Sequence, residues 1–389
     1  MIVVEITLIV AAVLLLAAAL YYGVFAAWAL LRPPTPPRER QPQTRFCVLI
    51  PAHDEEASIQ HTIAAAQAFD YPAELFRVLV LADNCVDRTT QVAREAGADV
   101  IERVAPDEPG KGQAMAWALE HHINADEALL VCDADSRPDP KYLRWMDRAF
   151  GEGAGAAQGF NGSANAAASS LAALAAVTSG MKNGLHYAGK AAAGLPVPLM
   201  NGLVLSAATI AAHPWRAFSI TEDFEHYLRL VDAGVTVRFV PEAKILSPRA
   251  TGFAAAGRQK RRWSGGQTSL ARELAWPMAC RAVAGGALYK LAAALDLLMP
   301  GYSPLTALLV VVAAAAGYLF GIAHAGFLLA AAGLAVMALQ FAIGLARLEW
   351  TPQLAMAVAL APFYIVWKIA LALKSALFKP DRWQRASRD

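Results

Sequence analysis

Residues 2–31 form an apolar run of thirty positions in which only Glu5 is charged. A bilayer needs about 20 such residues per helix, so the run predicts a transmembrane anchor. A cleaved signal peptide is the alternative, but its apolar core is about half this length, and here no Lys or Arg precedes the run. Residues 32–45 break the pattern with Pro33, Pro34, Pro36 and Pro37 among Arg32, Arg38, Glu39 and Arg40. Such a segment cannot continue a helix and predicts a stiff linker.

Between 46 and 257, short β-rich runs alternate with helix-periodic stretches, the texture of an α/β domain with a mostly parallel sheet. The strand runs are 46–51, 77–82, 98–102 and 128–133. The first ends in His53, Asp54, Glu55 and Glu56, the second in Asp83 and Asn84, and the fourth in Asp133 and Asp135. Ligands of open α/β sheets bind beyond the carboxyl ends of the strands, so these acids converge on one candidate site.

Residues 258–300 predict helices lying in the membrane interface. Residues 301–346 then contain no Asp, Glu, Lys or Arg across 46 positions, enough for two spans of about 20 residues, broken near Gly321, His324 and Gly326. Residues 353–373 predict a further span, bent at Pro362, with Lys368 reaching toward the basic tail of 375–389. The tail carries Lys379, Arg382, Arg385 and Arg388, and Arg32, Arg38, Arg40 and Arg45 flank the first span. Both basic segments are expected in the cytoplasm. Three spans after a cytoplasmic domain would leave the tail outside, so either 282–299 also crosses or the tail rule fails. Lys290 and Asp296 suit that segment better to an interface helix than to hydrocarbon. The expected total is four or five spans.

Composition agrees. Hydrophobic residues reach 57% and charged ones 17%, with a mean hydropathy of +0.37, whereas soluble chains run at about 45–50% and 25%. The chain is not wholly soluble, and its 389 residues suit two or three domains. Thirty-four basic against 32 acidic residues leave +2, too balanced for a protein that grips nucleic-acid backbone. Cys47, Cys85, Cys132 and Cys280 stand at least 38 residues apart without zinc-site spacing, and are expected to be reduced. The roughly 15 residues after Lys374 are too few for another folded domain.

Several short patterns carry chemistry. Asp133 and Asp135, one residue apart at a strand end, can share Mg²⁺ or Mn²⁺ and so neutralise a diphosphate; solvation of a loop is the plainer alternative. Thr221, Glu222 and Asp223 precede the helical pattern 224–233 and its terminating Gly234, so Thr221 reads as a helix cap. A helix N-terminus would lower the pKa of Asp223. Gln259, Arg262 and Trp263 share one helix face by their i, i+3, i+4 spacing, and an amide, a guanidinium and an indole together bind phosphate and stack on a sugar. The basic run Arg258, Lys260, Arg261, Arg262 equally suits anionic lipid. Gly110, Lys111 and Gly112 open a helix where backbone N–H groups and a lysine can meet phosphate, although the surrounding residues do not make a nucleotide-triphosphate loop.

In order, Asp83, Asp133–Ala134–Asp135, Thr221–Glu222–Asp223 and Gln259–Lys260–Arg261–Arg262–Trp263 resemble the D, DxD, TED, QxxRW signature of membrane-bound family 2 glycosyltransferases of the cellulose, chitin and hyaluronan synthase type. The resemblance runs from about 46 to 267 and includes Ile50–Pro51–Ala52–His53–Asp54–Glu55–Glu56. It implies a GT-A fold, a UDP-sugar donor, a divalent metal and inversion at the anomeric carbon. Pro51, Ala52, Glu55, Asp83 and Lys111 would then line the nucleotide-sugar site, with Glu55 and Asp83 on uridine. Asp133, Gln259 and Arg262 would hold the diphosphate, and Asp135 the metal. Asp223 would be the general base positioned by Glu222, and Trp263 would stack under the acceptor. The chain departs from the pattern at Asp54, where Asn is usual, and in the loop Asp83–Asn84–Cys85–Val86–Asp87. The expectation is a hexosyltransferase of the bacterial inner membrane, catalytic domain in the cytoplasm, that extends a β-linked polysaccharide. Single transfer to a lipid, as in ceramide or hopanoid glucosyltransferases, is the alternative, and a nucleotide-sensing membrane protein without catalysis a remote one.

Overall fold

A computed structural model describes residues 1–377, apart from the side chains of Lys260, Arg261, Arg262, Ser264, Lys368 and residues 371–377. The expected phosphate contact of Arg262 and the basic residues of the tail from Lys379 onward thus lie outside the described atoms.

Eight strands form one sheet: β1 (Arg45–Ala52), β2 (Phe76–Asp83), β3 (Asp99–Arg103), β4 (Glu127–Val131), β5 (Arg137–Pro138), β6 (Ala156–Ser163), β7 (Leu203–Leu205) and β8 (Val237–Ser247). Their spatial order is β3-β2-β1-β4-β7-β6-β8-β5. β1–β2, β1–β4, β2–β3 and β6–β8 pair in parallel, while the pairs made by β7 and β5 are antiparallel. All four predicted runs are strands of this sheet. β1 is apolar at consecutive positions because both faces are covered, as expected of a central parallel strand. Cys47 and Leu49 belong to the core shared with Met115 and Leu228, whereas Phe46, Val48 and Ile50 belong to the core shared with Ile59 and Ile63. The register pairs Ala52 with Ala82 and Leu49 with Val131, so β1, β2 and β4 end at one edge and release their acidic loops side by side.

Among the described residues, three helices are long and apolar enough to cross a membrane: Ile2–Leu31, Tyr302–Phe320 and Ala325–Ala346. They share a core that includes Ala12, Ala19, Leu305, Leu309, Ala330 and Met337. The region expected as a further bent span is two shorter helices, Pro352–Ala359 and Ala361–Leu377. Pro362 lacks an N–H and so is tolerated only in a first turn, which places the break just before it.

The segment 276–298 packs against the α/β sheet. Its helices Trp276–Gly285 and Leu288–Leu298 bury Met278, Ala279, Ala282, Ala293 and Ala294 in the core of the α/β sheet. Trp276, Val283 and Leu288 remain exposed. Its three charged residues all have protein partners, Arg281 and Lys290 with Asp232 and Asp296 with Lys190. The expected boundary at 257/258 falls inside the continuous helix Phe253–Leu270.

The α/β domain is also clamped to the long apolar helices. Between β6 and β7, the helix Ser170–Met181 contributes Ala173, Leu174, Val177 and Met181 to the core of those helices. Further along, a β-carbon on Gly189 would stand 1.9 Å from the Phe25 carbonyl oxygen, a backbone approach that only glycine permits. The proline-rich linker is strapped down as well: buried Asp147 pairs with Arg40 at 3.0 Å and accepts the Thr44 N–H and hydroxyl at 2.9 and 2.6 Å.

Candidate active site

Three loops leave the sheet at the common edge, and each is fixed by its neighbour. Pro51 and Ala52 close β1. Next, Asp54 adopts φ 55° and, in the following strand's loop, Asn84 adopts φ 51°, left-handed conformations that short Asx side chains tolerate. Asp54 Oδ1 accepts the N–H groups of Val86 and Asp87 at 2.8 and 3.3 Å, and His53 Nδ1 donates to the Asp83 carbonyl at 2.7 Å. Both departures from the family pattern thus have a structural role in tying the β1 loop to the β2 loop. Glu55 donates its N–H to Thr89 Oγ1 at 2.6 Å and receives the Ser58 hydroxyl on Oε2 at 2.8 Å. Asp54, Cys85 and Asp87 bring potential ligand atoms within 4.8 Å of one another, but Asp54 and Asp87 already accept backbone N–H groups that close these loops.

Asp83 is buried, and its Oδ1 accepts from Arg103 Nη1 at 2.8 Å. Arg103 in turn reaches Glu108 Oε2 at 3.2 Å. Beside this pair an open cleft of about 620 Å³ is lined by Glu102, Gln113, Trp117, Glu120 and Phe218, among others.

The centre of the site is Lys111. Its Nζ lies 2.8 Å from Asp133 Oδ1 and 3.2 Å from Glu222 Oε1, so one side chain joins the DxD loop to the start of helix Glu222–Asp232. Burial alone would lower the lysine's pKa, yet Asp133, Glu222 and Asp223 hold it above the usual range. Asp223, beside this pair, is pushed up to about 7 by burial and then by Glu222, against the opposing pull of Lys111 and of the Phe224 N–H. The expectation that the helix N-terminus would lower this pKa is therefore corrected: burial and a like charge outweigh the dipole. Thr221 does occupy the cap position of that helix but makes no side-chain cap. Glu225 satisfies the preceding loop instead, accepting from the N–H groups of Phe218 and Ser219 at 3.1 and 3.0 Å.

The helix Phe253–Leu270 approaches from the other side. A β-carbon on Gly266 would stand 3.2 Å from Thr221 Oγ1, and Gln259, Trp263 and Gly266 follow the i, i+4, i+7 spacing of one face. Gln259 is half-buried and Trp263 partly exposed. The QxxRW helix thus passes the loop that carries Glu222 and Asp223.

Two residues at the site were not singled out by sequence reasoning. Asn201 is buried and receives the Asp133 N–H on Oδ1 at 2.9 Å, while its Nδ2 donates to the hydroxyls of Ser136 and Ser247 at 2.7 and 2.9 Å. It fixes the turn that presents Asp133 and Asp135. Arg249 donates from Nη2 to Asn161 Oδ1 and to the Gly162 carbonyl, both at 3.0 Å, leaves Nε buried without a partner, and feels the charges of Asp135 and Asp133. Neither lies in a motif; only the pairing of β7 with β4 and of β8 with β6 brings them there.

Among the described residues, Lys111 thus pairs with Asp133 and Glu222 and feels Asp223, while Arg249 feels Asp133 and Asp135. Carboxylate oxygens of this kind are the donors that a hard divalent cation takes.

Comparison with known proteins agrees with this architecture. The sequence profile of the glycosyltransferase-like family 2 matches residues 42–266, more than half of the chain. The chain belongs to that family. A probable glycosyltransferase of Bacillus subtilis, YdaM, is 26% identical over 230 residues, 57% of this chain and 55% of that protein. The glycosyltransferase AglJ of Haloferax volcanii is 37% identical over 86 residues, 22% of this chain and 26% of that protein. The matches therefore span about half of these curated relatives' length or less. Among solved structures, the mannosyltransferase PcManGT of Pyrobaculum calidifontis, in complex with GDP-Man and Mn²⁺, superposes with a TM-score of 0.61 at 17% identity, over 96% of this chain and 100% of that one. The fold of this family 2 domain is GT-A.

Proposed function

We propose that this family 2 protein is a membrane-bound, metal-dependent, inverting glycosyltransferase that transfers a hexosyl group from a nucleotide-diphosphate sugar. The observation that carries the reading is Lys111, whose single ammonium binds Asp133 of one acid motif and Glu222 of the other. It supports a reading in which the loop of Asp133 binds diphosphate and the acid beside Glu222 serves as base, close together. Pro51, Ala52, Glu55 and Asp83 line the nucleoside end, with uridine the proposed base, and Gln259 and Arg262 the diphosphate end.

In the proposed reaction, the acceptor hydroxyl oxygen forms a bond to the anomeric carbon as the bond to the diphosphate oxygen breaks. The electron pair leaves with the nucleoside diphosphate, and the hydroxyl proton passes to Asp223. A carboxyl group raised to about 7 is matched to proton uptake near neutrality. Glu222 positions that base, and Lys111 moderates the charge around the leaving group. A bound Mg²⁺ or Mn²⁺ would supply further neutralisation of the departing diphosphate.

The acceptor follows from the membrane side. The long apolar helices pack through small and apolar side chains such as Ala12, Ala19, Leu305 and Ala330, which supports an acceptor reached from the lipid phase, with Trp263 beneath its reacting sugar. Extension of a β-linked polysaccharide is the second reading. It is favoured by the cleft beside Arg103, where Trp117 and Phe218 stand among Glu102, Gln113 and Glu120, a combination of aromatic faces and hydroxyl-binding groups that suits sugar. The basic residues around the first long helix support a cytoplasmic catalytic domain.

The test is turnover of the full chain in native-like lipid with Mn²⁺ or Mg²⁺ against radiolabelled UDP- and GDP-sugars. Label that extracts with lipid supports the first reading, and glycosidase-sensitive polymer the second. Asp223→Asn should abolish transfer while retaining donor binding, and Asp135→Ala should remove metal-dependent activity. Binding without turnover for every donor would overturn the assignment as an enzyme.

A further inference from the structure

Beneath the candidate site, one polar cluster is buried between the α/β domain and the long apolar helices. Its centre is Asp296, on the helix Leu288–Leu298, with a side chain 2% exposed. Lys190 pairs with Asp296 and also donates to the Ala292 carbonyl at 3.2 Å. Tyr227 donates its hydroxyl to Asp296 Oδ2 at 3.0 Å, and His186 Nε2 lies 3.4 Å from Oδ1. His186 is packed against three rings of the first long helix, with centroid separations of 5.4 Å to Tyr21, 4.8 Å to Tyr22 and 5.4 Å to Phe25. Tyr22 donates to the Pro300 carbonyl at 3.2 Å, next to the start of the second long helix.

A buried ion pair gives little net stability over an apolar pair of the same volume. What it supplies is registry, because each buried polar group keeps its partners in only one arrangement of the elements. Here the registry is that of Tyr227, which follows Asp223 by four residues, one turn along the same helix face. Lys290 joins the same two helices at the surface through the Asp232 carbonyl and Oδ1, at 2.7 and 3.0 Å, but at the far end from Asp223.

We infer that Asp296 is a positioning residue: through Tyr227 it sets the height of Glu222 and Asp223 over the donor and refers it, through His186 and Lys190, to the helix Ile2–Leu31. The inference rests on the reading of Asp223 as the base. Proton transfer and attack depend on the placement of that carboxyl group, and misplacement by about 1 Å costs up to about 100-fold in rate. The proposed donor-binding groups Pro51, Ala52, Glu55, Asp83 and Asp133 lie on loops of the sheet edge, Lys111 on the helix Lys111–His121 and Gln259 and Arg262 on the helix Phe253–Leu270; none stands on the helix of Tyr227, so UDP affinity should not follow its displacement.

The test uses the full chain in lipid nanodiscs, with turnover per UDP-binding site and UDP affinity in the presence of Mn²⁺ measured separately. Tyr227→Phe removes one hydroxyl and should lower turnover per site by about tenfold with UDP affinity unchanged; Asp296→Asn should lower it further. Lys290→Ala, which loosens the same helix pair away from the site, should leave turnover as it is. If Tyr227→Phe turns over normally, or loses UDP sites in proportion to activity, or is matched by Lys290→Ala, Asp296 is structural only and the inference falls. Should Asp296→Asn fail to fold, Tyr227→Phe decides alone. Wild-type protein that turns over no nucleotide sugar would overturn the enzymatic reading and this inference with it, whereas active wild type with indifferent variants overturns the inference alone.

Discussion

A β-carbon on Gly112 would stand 2.3 Å from the carbonyl oxygen of Ala217, so the helix of Lys111 and the loop leading to Glu222 touch backbone to backbone. Gly112→Ala is expected to push that loop outward, costing about 1–3 kcal/mol as an overpacked site and separating Lys111 from Glu222. Chemical denaturation and turnover measure the two effects. Gly180→Ala, in the helix Ser170–Met181 with nothing within 4 Å of the added atom, should act oppositely and stabilise by about 0.5–1 kcal/mol.

The pH dependence follows from Asp223. As the proposed base it must be ionised, so turnover should fall as pH drops through about 7. Glu222 is one of the groups that raise this pKa and Lys111 one that lowers it. Glu222→Gln should therefore move the acid limb to lower pH, and Lys111→Met should move it to higher pH. A limb that stays in place in both variants would assign the titration to another group.

Stability should show the same carboxyl group with the opposite benefit. Unfolded Asp titrates near pH 3.9, whereas folded Asp223 titrates near 7. Between the two the folded chain holds a proton the unfolded chain has lost, so this group's contribution to stability declines as pH rises through that window and is lowest above 7. Asp223→Asn cannot ionise. Relative to wild type it should gain thermal stability at pH 8 and gain little at pH 4, as read by melting temperature.

Asn201 supports the DxD turn through Asp133, Ser136 and Ser247. Asn201→Ala should weaken binding of UDP with Mn²⁺ by about 10–100-fold, the usual effect of removing a group that orients a ligand. Loss of its hydrogen bonds should also cost about 1–3 kcal/mol. Calorimetric titration checks the first figure and urea unfolding the second.

Much of the protein was legible in the order of its residues, because the features concerned are local. A 30-residue apolar run makes a long apolar helix wherever it sits, and the strands β1 to β4 announce themselves by continuous apolar side chains that two covered faces require. Asp83, Asp133 and Glu222 were legible as candidates because strand ends and helix starts, which bring acids to one edge, are themselves local signals. Contacts between distant segments were not legible. Asp296 read as a charge too many for hydrocarbon, and only folding supplied Lys190, 106 residues away, as its partner. Asn201 and Arg249 lie in no motif and reach the DxD turn through the pairing of β7 and β8 with their neighbours. The ionisation of Asp223 was decided in the same way. Sequence showed a helix N-terminus, whose dipole favours the charged form, but burial and the adjacent Glu222 favour the neutral one, and burial is a property of the whole packed chain.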